Sequence, residues 1–205
     1  MHALRNVFLI FVFVGSSLAS FSEKYQWVSL FNGKDLSGWK SHGAEKWVVE
    51  RGEILGEAVT KAYGYLTTER TYGDFEMKAS FKTEGSGNSG IFFHSIIEGV
   101  DITGVQLEID PNVGNHTGGL YESGGRGWLI QPNEAGEKAM KVGEWNDLHL
   151  RVIGNHIVTH VNGQKIVDYK DPSPKHSYGV IALQLHSGGQ AKMRFKDLYI
   201  RKIGK

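Results

Sequence analysis

The sequence predicts an all-β protein built as a two-sheet sandwich, and three observations carry that prediction. Apolar and polar residues alternate with period two along several segments, Asn-Gly and Gly-Asn pairs punctuate short β-rich runs, and no stretch sustains a capped apolar repeat of 3.6 residues. The chain has 205 residues, 40% of them hydrophobic, which is enough for one domain with a core of its own. It contains no cysteine, so thiol catalysis and thiolate zinc sites are excluded. With 23 Lys+Arg against 22 Asp+Glu it generates no field for phosphate backbones or anionic lipid, and neither nucleic acid nor a membrane surface is an expected partner.

Taken in order, the first segment reads as an address. Arg5 supplies a positive charge, residues 6–14 are almost wholly apolar, and Ser17-Leu18-Ala19 places small residues where a signal peptidase inspects them. Residues 1–19 are therefore expected to be a signal peptide and residues 20–205 the single domain, periplasmic or secreted. The apolar run falls short of the roughly 20 residues a membrane span needs, so no span is expected after processing. Residues 74–82, 148–152 and 193–200 alternate as half-buried strands, and Asn162-Gly163 between two β-rich runs predicts a tight hairpin, because both central turn positions favour positive φ. Residues 133–140 could form one short helix. About a dozen strands at sandwich-like spacing follow, with no repeat and no linker. Residues 112–127 are glycine-rich and predict a long ordered loop of functional use.

Two motifs lead nowhere. The segment from Gly85 to Gly90 matches G-x-G-x-x-G but opens onto a strand, Ile91-Phe92-Phe93-His94, so it lacks the helix N-terminus of a dinucleotide site. Asn115-His116-Thr117 matches a glycosylation sequon and marks only an exposed loop.

Chemistry is expected on the polar face of the strands. Gln106, Glu108 and Asp110 alternate with Leu107 and Ile109, so the first three share one face while the leucine and isoleucine enter the core. Neighbouring carboxylates on such a face stand about 6.5–7 Å apart, close enough for one to raise the pKa of the other. The same parity puts Gln184 and His186 opposite Ile181, Leu183 and Leu185, and puts His94 opposite Ile91 and Phe93. If these strands are neighbours, Glu108, His94 and His186 converge on one groove. Tyr121, Arg126 and Trp128 would form a rim, the rings as sugar platforms and the guanidinium as an anion holder.

The order of segments now identifies a resemblance. Ser29-Leu30-Phe31-Asn32-Gly33-Lys34-Asp35-Leu36-Ser37-Gly38-Trp39, Trp47-Val48-Val49-Glu50, Tyr72-Gly73-Asp74-Phe75-Glu76, Gly87-Asn88-Ser89-Gly90-Ile91-Phe92, Gly143-Glu144-Trp145-Asn146-Asp147 and Arg194-Phe195-Lys196-Asp197-Leu198 resemble the 3-keto-disaccharide hydrolase family, also described as 3-keto-glucoside lyase and 3-keto-glucal hydratase. The resemblance implies a concanavalin A-like jelly roll, bacterial export and an oligosaccharide or glycoside substrate. Where many members read Glu-x-Gln on the central strand, this chain reads Gln106-Leu107-Glu108.

The resemblance also implies a reaction. A ketone at the third sugar carbon acidifies the proton on the second, so a base can remove it while the glycosidic oxygen leaves the first, and water then adds to the unsaturated ketone. Glu108 is the expected base, His186 or His94 its acid/base partner, and Arg126 or a bound cation the group opposite the enolate, with roles exchangeable. Gln106, Asp110, Tyr121, Arg126, Trp128 and Gln184 are the expected substrate contacts. No cofactor is required, although Glu108, Asp110, His94 and His186 include ligand types a divalent cation would accept. A retaining glucanase on this sandwich would carry a further acid where Asn112 stands. The remaining alternative is a non-catalytic, lectin-like glycan-binding module.

Overall fold

A computed structural model of the chain describes residues 26–112 and 114–204, so the leader expected over residues 1–19 lies outside the described residues. The strands are β1 (Val28–Ser29), β2 (Trp39–His42), β3 (Lys46–Glu50), β4 (Glu53–Glu57) and β5 (Gly64–Tyr72). They continue with β6 (Phe75–Thr83), β7 (Ser89–Glu98), β8 (Asp101–Ile109), β9 (Leu120–Ser123) and β10 (Gly127–Ile130). After a single helical turn, α1 (Glu134–Glu137), come β11 (Asn146–Ile153), β12 (His156–Val161), β13 (Gln164–Lys170), β14 (Gly179–Leu185) and β15 (Lys192–Lys202).

Two antiparallel sheets result. One runs β13-β12-β11-β6-β15-β4-β3, with β1 beside β15, and the other runs β10-β9-β8-β7-β14-β5-β2. The alternation along β6, β11 and β15 sends Phe75, Met77, Phe81, Leu148, Leu150, Val152, Met193 and Phe195 inward, against Ile91, Phe93, Leu107, Ile109, Ile181, Leu183 and Leu185 of the other sheet. Asn162 and Gly163 take the positive φ values, 51° and 77°, of the expected hairpin between β12 and β13. Asn133 caps α1 by accepting from the Gly136 N–H.

Two expectations are corrected here. The glycine-rich stretch is not one long loop, because Leu120–Ser123 and Gly127–Ile130 pair as a hairpin with Trp128 opposite Tyr121. The period-two pattern of β7 also breaks, with a register shift between Phe93 and Ile96 and φ of +46° at His94.

Candidate active site

The outer face of the seven-stranded sheet carries a cleft of about 740 Å³ whose floor is the polar face of β8 and its neighbours. Cross-strand register explains the assembly. Glu108 lies opposite Gly90 on β7, Gly90 opposite Gln184 on β14, and Gln184 opposite Tyr65 on β5. Gly90 therefore leaves a gap between two polar side chains, and the Gln106 amide leans into it. A Cβ at position 90 would stand 2.6–2.9 Å from three Gln106 side-chain atoms. From there Gln106 Nε2 donates to Glu108 Oε2 at 2.8 Å and to Gln184 Oε1 at 3.2 Å. Tyr65, opposite Gln184 in the ladder and buried against Phe92, Ile102 and Ala182, closes the row, and burial pushes its hydroxyl up to about 12.

Glu108 is the centre of this arrangement. Only 5% of it is exposed, and burial pushes its carboxyl up to about 8; the Asn88 hydrogen bond opposes the shift and the Asp110 charge adds to it. The Asn88 amide nitrogen bridges the two carboxyls, donating to Glu108 Oε1 and, at 3.1 Å, to Asp110 Oδ2, while its own Oδ1 is buried with no hydrogen-bond partner among the described residues. Asp110 is held further by the backbone N–H and side-chain amide of Asn112.

Two imidazoles flank the floor. His186, one residue beyond β14, sets its ring edge to face against Tyr63, with Nε2 3.1 Å from the Tyr63 hydroxyl and Nδ1 3.1 Å from the Ser187 carbonyl. His116, on the β8–β9 connection, lies 4.9 Å from the Trp128 ring centroid, and Trp128 meets Tyr121 edge to face at 5.4 Å. Tyr63 and Trp128 both remain more than one-third exposed, as rim aromatics that meet a sugar face would be.

Of the residues expected from sequence, Gln106, Glu108, Asp110, Tyr121, Trp128, Gln184 and His186 line this cleft together. His94 does not. The bulge in β7 turns its ring inward against Phe75 and Phe93, where Nε2 bonds the Gly73 carbonyl at 2.9 Å and burial lowers its pKa. Arg126 is also misplaced, because its guanidinium is spent on Glu122 and Asp171, both nearly inaccessible, at 2.6–2.9 Å. Sequence reasoning missed Tyr63, Tyr65, Asn88 and His116. Tyr65 shares Gln184's face by register, a signal that strand pairing alone would have revealed; the other three stand in connections, where no periodicity points.

Among the described residues no cluster of three or more His, Asp or Glu side chains is spaced to hold a metal ion, and no helix is long and apolar enough to cross a membrane. A family model described as the 3-keto-alpha-glucoside-1,2-lyase-like domain matches residues 26–201. The chain belongs to this family. A relative named 3-keto-disaccharide hydrolase, from Bacteroides thetaiotaomicron, is 23% identical over 168 residues, which are 70% of this chain and 58% of the relative. The chain thus spans less than two-thirds of that relative's length. Among solved structures, a Parabacteroides distasonis protein described as a candidate glycosyl hydrolase is 22% identical with a TM-score of 0.67, over 91% of this chain and 97% of the other. The carbohydrate-binding module CBM66 of Bacillus subtilis is 14% identical with a TM-score of 0.63, over 80% and 96%. This 3-keto-glucoside lyase-like domain therefore has the jelly-roll fold that such sugar-binding and candidate hydrolytic proteins share.

Proposed function

We propose that this protein cleaves 3-keto-glycosides, 3-keto-disaccharides or 3-keto-glucosides, by elimination followed by hydration, with Glu108 as the group that exchanges a proton with the second sugar carbon. The observation that carries the reading is the buried Glu108 carboxyl, bonded by Asn88 and Gln106 beside Asp110 at the floor of an aromatic-rimmed cleft, with its pKa raised to about 8. Such a group is a stronger base than an ordinary carboxylate, which suits abstraction from carbon. In its ionised form it takes the C2 proton. The C–H electron pair forms the enolate of the C3 ketone and then the C1–C2 double bond, as the C1–O bond breaks. The departing oxygen takes a proton from the His186–Tyr63 pair. In the hydration half Glu108 returns its proton to C2.

Turnover of a 3-keto-glucoside should rise with pH through about 8 and level off above it, once Glu108 is fully ionised, and Glu108→Gln should lose roughly 10²–10⁴-fold. A profile that falls through pH 8 would make Glu108 an acid instead. Binding of the 3-keto sugar with no turnover at any pH would support the lectin-like alternative, for which the exposed Trp128 and Tyr63 would suffice.

A further inference from the structure

Glu108 serves C2 in this scheme, which leaves two proton transfers at C1, one to the departing oxygen and one from the entering water. The cleft holds two imidazoles for them. In strand order the β8–β9 connection bearing His116 lies on one side of Glu108, while His186, at the end of β14, lies on the other, with β7 between. His116 has three features that a loop residue of merely structural use would not need together. Its backbone is held at φ +73°, a conformation that disfavours any side chain. Glu137, at the end of α1, grips it twice, accepting from the backbone N–H at 3.1 Å and from ring Nδ1 at 2.6 Å. Its ring packs edge to face on Trp128 at the cleft rim, and Nε2 makes no hydrogen bond to any described residue.

A carboxylate that accepts from Nδ1–H fixes the tautomer and leaves the Nε2 lone pair as the proton acceptor, which is the way a base histidine is oriented in acyl-transfer triads. We propose that His116, oriented by Glu137, is the base that activates water for the hydration half-reaction; the assignment rests on the function proposed above. A water O–H bond breaks and its proton goes to His116 Nε2, while the water oxygen bonds to C1. The C1–C2 π pair moves to make the C2–C3 enolate, which takes its proton at C2 from Glu108. His116 then releases its proton to solvent at the open rim, and the His186–Tyr63 pair recovers from solvent the one it gave the leaving group. Glu137 is a positioning residue, acting only through the imidazole.

The test follows the two halves separately in the full-length protein, with a 3-keto-glucoside for elimination and the isolated unsaturated ketone for hydration, read by loss of its ultraviolet absorbance. His116→Gly removes the ring and relieves the positive φ together. It is expected to leave the protein folded, the relief of the positive φ offsetting part of the lost Glu137 and Trp128 contacts, to slow hydration by roughly 10²–10³-fold, and to let the unsaturated ketone accumulate while release of the leaving group continues. Added imidazole should restore part of the hydration rate, and Glu137→Gln should slow the same half less severely. If His116→Gly hydrates at the wild-type rate, or if both halves fall together with stability and imidazole restores neither, the assignment is overturned while the proposed function stands. Wild-type protein inert towards both compounds overturns the proposed function, and this assignment with it.

Discussion

Replacing Glu108 by glutamine separates chemistry from folding in a way that can be worked out from the site. In the unfolded chain the carboxyl titrates near 4.5 and in the folded one near 8. Below pH 4.5 it is protonated in both states and costs nothing. Between the two values the unfolded chain ionises while the folded one retains its proton, so stability falls as pH rises; above pH 8 the loss is complete. At about 1.4 kcal/mol per pH unit the full span is about 5 kcal/mol and the share reached at pH 7 about 3 kcal/mol. Glutamine carries no such penalty. Its side-chain oxygen can keep accepting from Asn88 Nδ2, as the carboxyl does, without disturbing the Asn88–Asp110 bond. Glu108→Gln should therefore match wild type near pH 4 and become the more stable protein by a few kcal/mol at pH 8, with turnover lost. Denaturant midpoints of both proteins from pH 4 to 9 measure this directly. Parallel curves would refute the burial argument, and a variant less stable at every pH would refute the polar-face placement. Leu107→Ala is the opposite control, because that side chain is wholly buried in the main core and its loss should cost about 2–5 kcal/mol at every pH.

Gly90→Ala should cost about 1–3 kcal/mol, by forcing Gln106 out of the gap between Glu108 and Gln184, and should depress turnover although no catalytic group is altered; activity and melting measured side by side would show whether the gap matters. Arg126→Ala strands Asp171 and Glu122, which are 1% and 3% exposed, and should cost about 3 kcal/mol or more with the kcat of the folded fraction unchanged; a selective loss of kcat would return Arg126 to the active site. Material recovered outside the cytoplasm should begin at Ser20, and an intact Met1 on it would contradict export.

The floor of the cleft was legible in the sequence because strand parity is a strict rule. Once Leu107 and Ile109 are assigned to the core, Gln106, Glu108 and Asp110 have only one place to go, and the same holds for Gln184 opposite Leu183 and Leu185. Parity fails at one extra residue, and that is how His94 came to be expected in the groove. Nothing in Phe93-His94-Ser95 announces that β7 will bulge there, since the bulge follows from how β8 and β14 pair with it. Arg126 failed for a different reason. Its two acids lie 4 and 45 residues away, and only the closed fold brings Asp171 to it. Tyr63 and His116 were invisible because connections have no period, and their meaning lies in the Tyr63–His186 and His116–Glu137 contacts that folding creates.

The gap at Gly90 changes how a mutational map of this protein should be read. Residue 90 does not line the cleft, accepts no proton and bears no charge, yet every larger side chain there evicts the amide that links Glu108 to Gln184. In a saturation screen scored by growth on the substrate, position 90 would stand beside position 108 in intolerance. The two would part only when each variant's pH profile was taken, because a displaced amide alters the setting in which Glu108 titrates, whereas a missing carboxyl abolishes the titration itself.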